Sequence, residues 1–284
     1  MKYRYDSALV TLCLALILGG SFMGVNASAD ETTPALPLWQ SLEFEQKAFW
    51  ATARSRIEIN QDANNQKQWQ LTAISSVASN FEKVEINFNA QSGQLCYRSR
   101  EGRGKGQRYK SYDYLEGYIL RDRREPGTVA DQPAAQWPLS NSQKIPYPEL
   151  AKGMIITDAY ALLLLADRFR AGSEDATEVV IHTDYNFYRV TITRSAGIPI
   201  NVDYQITGAE GVAGTRETRG VTMQAKPLGA LAEKPDFSLL GLHGRITLLF
   251  DADSGLPVQL RGTAPKLGAT EINLKSATLR IGKE

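Results

Sequence analysis

The chain has 284 residues, 43% of them hydrophobic and 22% charged, with a mean hydropathy of −0.29. Those values exclude a polytopic membrane protein, a collagen-like chain and a wholly disordered one, while the length is ample for a sizeable core. Lysine and arginine number 32 against 31 acids, so no global basic field for nucleic acid exists.

The first residues carry Lys2 and Arg4, an uncharged apolar run follows from Ala8 to Leu18, and Ala27-Ser28-Ala29 precedes Asp30. A positive start, a short apolar run and small residues at Ala27 and Ala29 predict a cleaved secretory signal peptide over 1–29. The run falls short of the ~20 residues that span a bilayer. The alternative is an uncleaved anchor reaching about Val25. No later stretch is long and apolar enough to span, so the expectation is a periplasmic mature chain, 30–284, without a transmembrane span. Lys2, Arg4 and Asp6 leave with the leader, and the remainder carries equal numbers of acids and bases. Cys13 lies in the leader, so Cys96 has no internal disulfide partner. It reads as a small hydrophobe; a catalytic thiol would need a base, and only His182 and His243 exist.

Beyond the leader the dominant period is two. Leu42, Phe44, Gln46 and Ala48 alternate with charged neighbours; Val84, Ile86 and Phe88 do the same. So do Tyr188, Val190 and Ile192; Val202, Tyr204 and Ile206; Ile246, Leu248 and Phe250; and the tail pairs Val258/Leu260 and Ile272/Leu274. This alternation predicts about a dozen strands with one wet face each, in antiparallel sheets. Ser92-Gly93, Glu116-Gly117 and Asp253-Ser254-Gly255 mark hairpin turns. Residues 126–148 hold five prolines and read as a long irregular connection, a strap across the sheet rather than a linker. The glycine-rich stretch 208–241 breaks the meander again, with only Thr218–Lys226 strand-like. One helix is predicted over about 157–170, capped by Thr157 or Asp158 and ended by Gly172. Leu162, Leu163, Leu164 and Leu165 cover every side of one turn, and Phe169 follows, so this helix is buried. The fold expected is mainly β: one strongly curved antiparallel sheet or open β-barrel, a single domain over 30–284, with the helix on its concave side. That helix fills the core or plugs a lipid cavity.

The densest candidate site is basic. Arg98, Arg100, Arg103, Lys105, Arg108 and Lys110 fall within thirteen residues, opposed locally by Glu101 alone, and Arg121, Arg123 and Arg124 follow. Tyr97, Tyr109, Tyr112 and Tyr114 interleave. Guanidinium groups bind phosphate or carboxylate bidentately and tyrosines stack on sugars. The anionic partners expected in an envelope are lipid, lipopolysaccharide or glycan. The plainer reading is a solvated hairpin tip that protects a sheet edge. Gly102, Gly104 and Gly106 lack the spacing of a nucleotide loop. Asp251-Ala252-Asp253 opens like a calcium loop, but no acid follows in 256–262, so a turn is expected. No metal-ligand spacing, Gly-x-Ser-x-Gly turn or marked carboxylate pair appears. No metal, cofactor or catalytic residue is therefore predicted.

Two segments carry a family resemblance. Asp158-Ala159-Tyr160-Ala161-Leu162-Leu163-Leu164-Leu165-Ala166-Asp167-Arg168 resembles the leucine-rich helix of the bacterial exported family called domain of unknown function 3108. The run Leu249–Gly262, with its Asp-Ser-Gly-Leu-Pro turn, is similar to that family's penultimate hairpin, and Leu267–Leu279 to its closing strand. Leu42–Ile59 resembles its opening pair. The resemblance spans about 40–280. It implies a Gram-negative envelope protein with a curved antiparallel sheet and supplies no catalytic residues. The longer proline segment and the 208–241 insertion depart from it.

The functional expectation is a non-enzymatic envelope protein binding a lipidic or glycan-bearing anionic ligand. The alternatives are an assembly module that docks an envelope protein partner by a sheet edge or basic hairpin, and a hydrolase with an unrecognised acid pair.

Overall fold

The computed structural model describes residues 36–280, apart from 49, 50, 64, 66, 105, 129–131 and 233. The predicted leader, with Ala27 and Ala29, and Lys105 lie outside the described residues. Eight strands come first: β1 (Trp39–Ala48), β2 (Ala51–Gln61), β3 (Gln68–Val77), β4 (Asn80–Asn89), β5 (Leu95–Arg103), β6 (Arg108–Tyr114), β7 (Tyr118–Arg124) and β8 (Leu139–Pro146). A two-residue β9 (Ile156–Thr157) leads into α1 (Leu162–Ala171). The second half holds β10 (Ala176–His182), β11 (Phe187–Ser195), β12 (Ile200–Ile206), β13 (Val212–Arg216), β14 (Thr218–Pro227), β15 (His243–Asp251), β16 (Pro257–Ala264) and β17 (Gly268–Leu279).

Pairing is sequential and antiparallel from β1 to β8. The closing strand β17 pairs with β1, which joins the two halves into one ladder. From β17 the ladder runs on through β16, β15, β14, β11 and β10. A short parallel pairing with β9 ends it. Beyond Asn273 the edge of β17 that β16 leaves accepts Gln205 and Ile206 of β12 in parallel, and β12 forms a hairpin with β13. The ladder therefore has two ends, β8 and β9, and is an open sheet rather than a closed barrel. Side chains from near both ends meet, so the sheet is strongly curved, the open curved sheet expected.

Alternation explains the burial. In β4, Val84, Ile86 and Phe88 are buried while Glu85 and Asn87 are half-exposed. One core cluster takes residues from β1–β5, α1, β10–β12 and β14–β17, and a smaller one joins Tyr112, Ile119, Ile145, Ile156, Val180 and Phe187. The helix fills the interior. Leu162, Leu163 and Leu164 are almost wholly buried, Phe169 nearly so and Leu165 partly, and α1 packs on β11 and β14. Its start differs from the expected 157–170. Thr157 belongs to β9, and the Asp158 carboxylate accepts from the Tyr160 N–H at 2.9 Å to cap a tight turn, Ala159–Ala161, before the α-helix begins at Leu162. Asp158, one of the two caps expected, thus caps this turn, while the α-helix itself starts after Ala161 without a side-chain cap.

Three further expectations change. Strands number seventeen among the described residues, not about a dozen; short β9 and β13, which lack clear alternation, and β8, in the proline segment, are among those not expected. The proline segment is only partly irregular. Ala134–Trp137 packs on β6 and β7 as a strap, but Leu139–Pro146 is a strand whose prolines sit at its boundaries, where a missing N–H costs nothing. Within 208–241, β13 precedes the expected strand. The Asp251 turn is the hairpin predicted. Its Oδ1 accepts from the N–H groups of Asp253 and Ser254 at 2.9 and 2.7 Å, and Gly255 takes a φ of 69°. Where the chain crosses β14, a Cβ on Gly197 would lie 1.6 Å from the Thr218 carbonyl oxygen, so only glycine permits this approach.

Candidate functional site: a polar seam between the ends of the sheet

The basic tract does not form a wet patch. Cross-strand register aligns Ile86, Arg98, Tyr112 and Arg121 on one face of β4–β7, and Val84, Arg100, Lys110 and Arg123 beside them. Ile86 and Val84 belong to the core, so these cations project from the core-facing side of the sheet. Opposite them lie the residues leading into α1 and the turn after β10.

Arg98 is 5% exposed. Its Nη1 donates to Asp158 Oδ2 at 3.0 Å and to the His182 carbonyl at 2.6 Å, Nη2 donates to the Thr183 carbonyl, and its guanidinium stacks 3.8 Å from the Tyr112 ring centroid. Asp184 receives Arg121 Nε at 2.6 Å and Nη2 at 3.2 Å, the Tyr112 hydroxyl at 2.6 Å, and the Lys110 ammonium. Arg121, 2% exposed, also stacks over Tyr185. Burial opposes the Asp184 charge, but hydrogen bonds from Arg121, Lys110 and Tyr112 outweigh it and hold the carboxyl well below the ordinary aspartate range. Burial also lowers the Lys110 ammonium, though Asp184 resists.

His182 is wholly buried. Its Nδ1 lies 2.9 Å from the Tyr114 hydroxyl, and the rings of Tyr112, Tyr114 and Phe187 surround it. Desolvation, helped by the Arg98 charge, drives its pKa far below the ordinary value, so the imidazole is neutral. Behind the turn a second layer locks in. Asp236 accepts from Thr183 Oγ1, Asn186 Nδ2 and the Tyr188 hydroxyl at 2.8–3.0 Å, and from the Asp184 N–H at 3.2 Å. The glycine-rich insertion thereby braces the 183–186 turn against β5–β7.

The remaining basic residues sit nearer solvent with acid neighbours. Arg100 donates to Glu82 at 2.5 and 2.8 Å, Arg103 pairs with Glu101, and Arg123 with Glu125. Arg124 donates to the Trp137 carbonyl at 3.1 Å, and Arg108 is exposed. Tyr97 and Tyr109 lie on the opposite face and share a hydroxyl contact of 3.0 Å, apart from Tyr112 and Tyr114. The structure thus brings Arg98, Arg121, Tyr112 and Tyr114 together and engages them internally. An anion approaching Arg98 or Arg121 would first have to displace Asp158 or Asp184, so these two do not form the open anion site expected of them.

The seam's carboxylates and the imidazole Nδ1 of His182 already have partners, whereas the buried His182 Nε2 has none, and burial raises the pKa of the half-buried Cys96 thiol. Among the described residues no group of three or more His, Cys, Asp or Glu is placed to hold a metal ion, and no helix is long and apolar enough to cross a membrane. Sequence reasoning named Asp158 only as a helix cap and His182 only as a candidate base, and missed that Asp158 and Asp184 answer the cations and that Asp236 braces the turn. Comparison with family models, curated proteins and solved structures found no match for this chain.

Proposed function

We propose that the protein is a non-enzymatic exported module that docks a protein partner in the cell envelope through an open sheet edge. The edge strand β8 carries this reading. Its residues 139–144 are all exposed, and among the described residues no strand pairs with the side of β8 that faces away from β7. Half of its main-chain donors and acceptors are therefore available to an added strand. The filled interior beside α1 supports the same reading over a lipid carrier, because the leucines occupy the space a ligand would need. The leader and the resemblance of the helix and tail hairpin to an exported family support the location.

A photoreactive residue placed at Gln143, with a control at exposed Gln70 on β3, tests this in intact cells. Adducts with protein from position 143 and not from 70 are expected. Equal labelling at both positions, or extractable lipid in the native protein with a thermal shift on adding lipopolysaccharide, would return the anionic-ligand reading. That reading rests on exposed Arg100, Arg103 and Arg108.

A further inference from the structure

We infer that the strand received by β8 is β8 of a second copy, paired antiparallel about a two-fold axis at Ser142. This rests on β8 being the docking edge and names its occupant. Prolines bound the run: neither Pro138 nor Pro146 offers an N–H, which leaves Leu139–Ile145 as the pairing segment with Ser142 at its midpoint. A two-fold axis there sets Leu139 opposite Ile145, Ser140 opposite Lys144, and Asn141 opposite Gln143. These pairs are apolar with apolar, hydroxyl with ammonium, and amide with amide, and none opposes like charges.

The features that guard a sheet edge, a lysine, prolines and a bulge, sit toward the ends of this run, at Lys144, Pro138, Pro146 and beside Ser140, and leave its centre open. The single charge of β8, Lys144, sits two residues from the axis, so the two copies stand about 14 Å apart at ~3.4 Å per residue. That exceeds the Debye length of about 8 Å at physiological salt. The ammonium also leans on its own sheet, 4.5 Å from the Tyr118 ring centroid. The ladder irregularity at Ser140 confines the regular part to the centre of the run. Seven residues bury less than a standard interface of about 1,600 Å², so a weak dimer with a Kd of about 10 μM is expected.

Sedimentation equilibrium of the mature chain up to several hundred micromolar reads this directly. A concentration-dependent dimer is expected. Ser142→Lys, which sets two ammonium groups side by side on the axis, should weaken it at least tenfold; it exchanges the hydrogen bond from Ser142 Oγ to Asp122 Oδ1 at 2.7 Å for an ammonium beside the same carboxylate, so the melting temperature of dilute protein should shift by no more than about 4 °C. In a Cys96→Ala background, Ser142→Cys should oxidise to a covalent dimer, since directly opposed Cα atoms lie about 4.5–5.5 Å apart. The same change at Gln70 should not. A monomer at all concentrations overturns the inference, as does a dimer indifferent to Ser142→Lys. If the monomer still gives Gln143 adducts with another protein in cells, only the identity of the occupant falls. If those adducts are absent too, the docking reading falls with it.

Discussion

Replacing Asp184 tests the seam most sharply. The carboxylate is 18% exposed and its cationic partners Lys110 and Arg121 are 12% and 2% exposed, so three groups lose their compensation together. Asp184→Ala leaves both cations and the Tyr112 hydroxyl without their acceptor. Breaking a buried pair from one side costs about 3–5 kcal/mol. For a chain of this size each kcal/mol is worth about 2–4 °C, so the melting temperature should fall by about 6–20 °C. The pH dependence gives a second signature. The folded carboxyl titrates below its unfolded value of about 3.9, so its contribution is present above that value and is lost as pH falls toward the folded pKa. At about 1.4 kcal/mol per pH unit, the stability gap between the wild type and Asp184→Asn should narrow by about 1 kcal/mol from pH 5 to pH 3. Urea unfolding of both proteins across that range measures it. A cost for Asp184→Ala within 1 kcal/mol of zero, or a gap that does not narrow, would refute the reasoning that these ends of the sheet are held by charge.

Three other outcomes follow from the same contacts. His182 stays neutral in the fold, so below pH ~6.5 only the unfolded chain takes up its proton; stability should fall by up to about 1.4 kcal/mol per pH unit toward pH 5, and His182→Gln should remove that slope in urea titrations. Gly197→Ala should destabilise by about 3 kcal/mol or more, because the new Cβ meets main-chain oxygen that cannot step aside; Ser195→Ala, two residues away, is the thermal-melt control. Leu163→Ala, at 1% exposure in the filled interior, should cost about 2–5 kcal/mol by urea unfolding, and a near-neutral result would mean the helix faces a cavity instead.

Much of the architecture is legible in the chain. Period-two runs such as Val84-Glu85-Ile86-Asn87-Phe88 leave little but antiparallel strands, and Leu162–Leu165 can only be a buried turn of helix. The turn at Asp251–Gly255 follows from local hydrogen bonding alone. These features are local: side-chain period, proline, glycine and capping geometry act within a few residues, and the sequence states them directly. The spacing of the cations also held a signal. Arg98 and Arg100, Arg108 and Lys110, Arg121 and Arg123 each stand two apart, which puts each pair on one face of its strand. Composition counted them as basic; spacing showed that they travel together.

Which face they occupy, and what answers them, is decided only in three dimensions. Asp158 is 60 residues from Arg98 and Asp184 is 63 from Arg121, and no local pattern marks either acid. The curl of one long ladder brings them together, and that curl depends on β17 returning to β1 at the far end of the chain. A charge run that looked like an open invitation to an anion is thereby neutralised by carboxylates from the opposite end of the sheet. The physical reason is range: hydrophobic period is set by neighbours along the chain, whereas the partner of a buried charge is set by whatever the closed fold carries to within 3 Å of it.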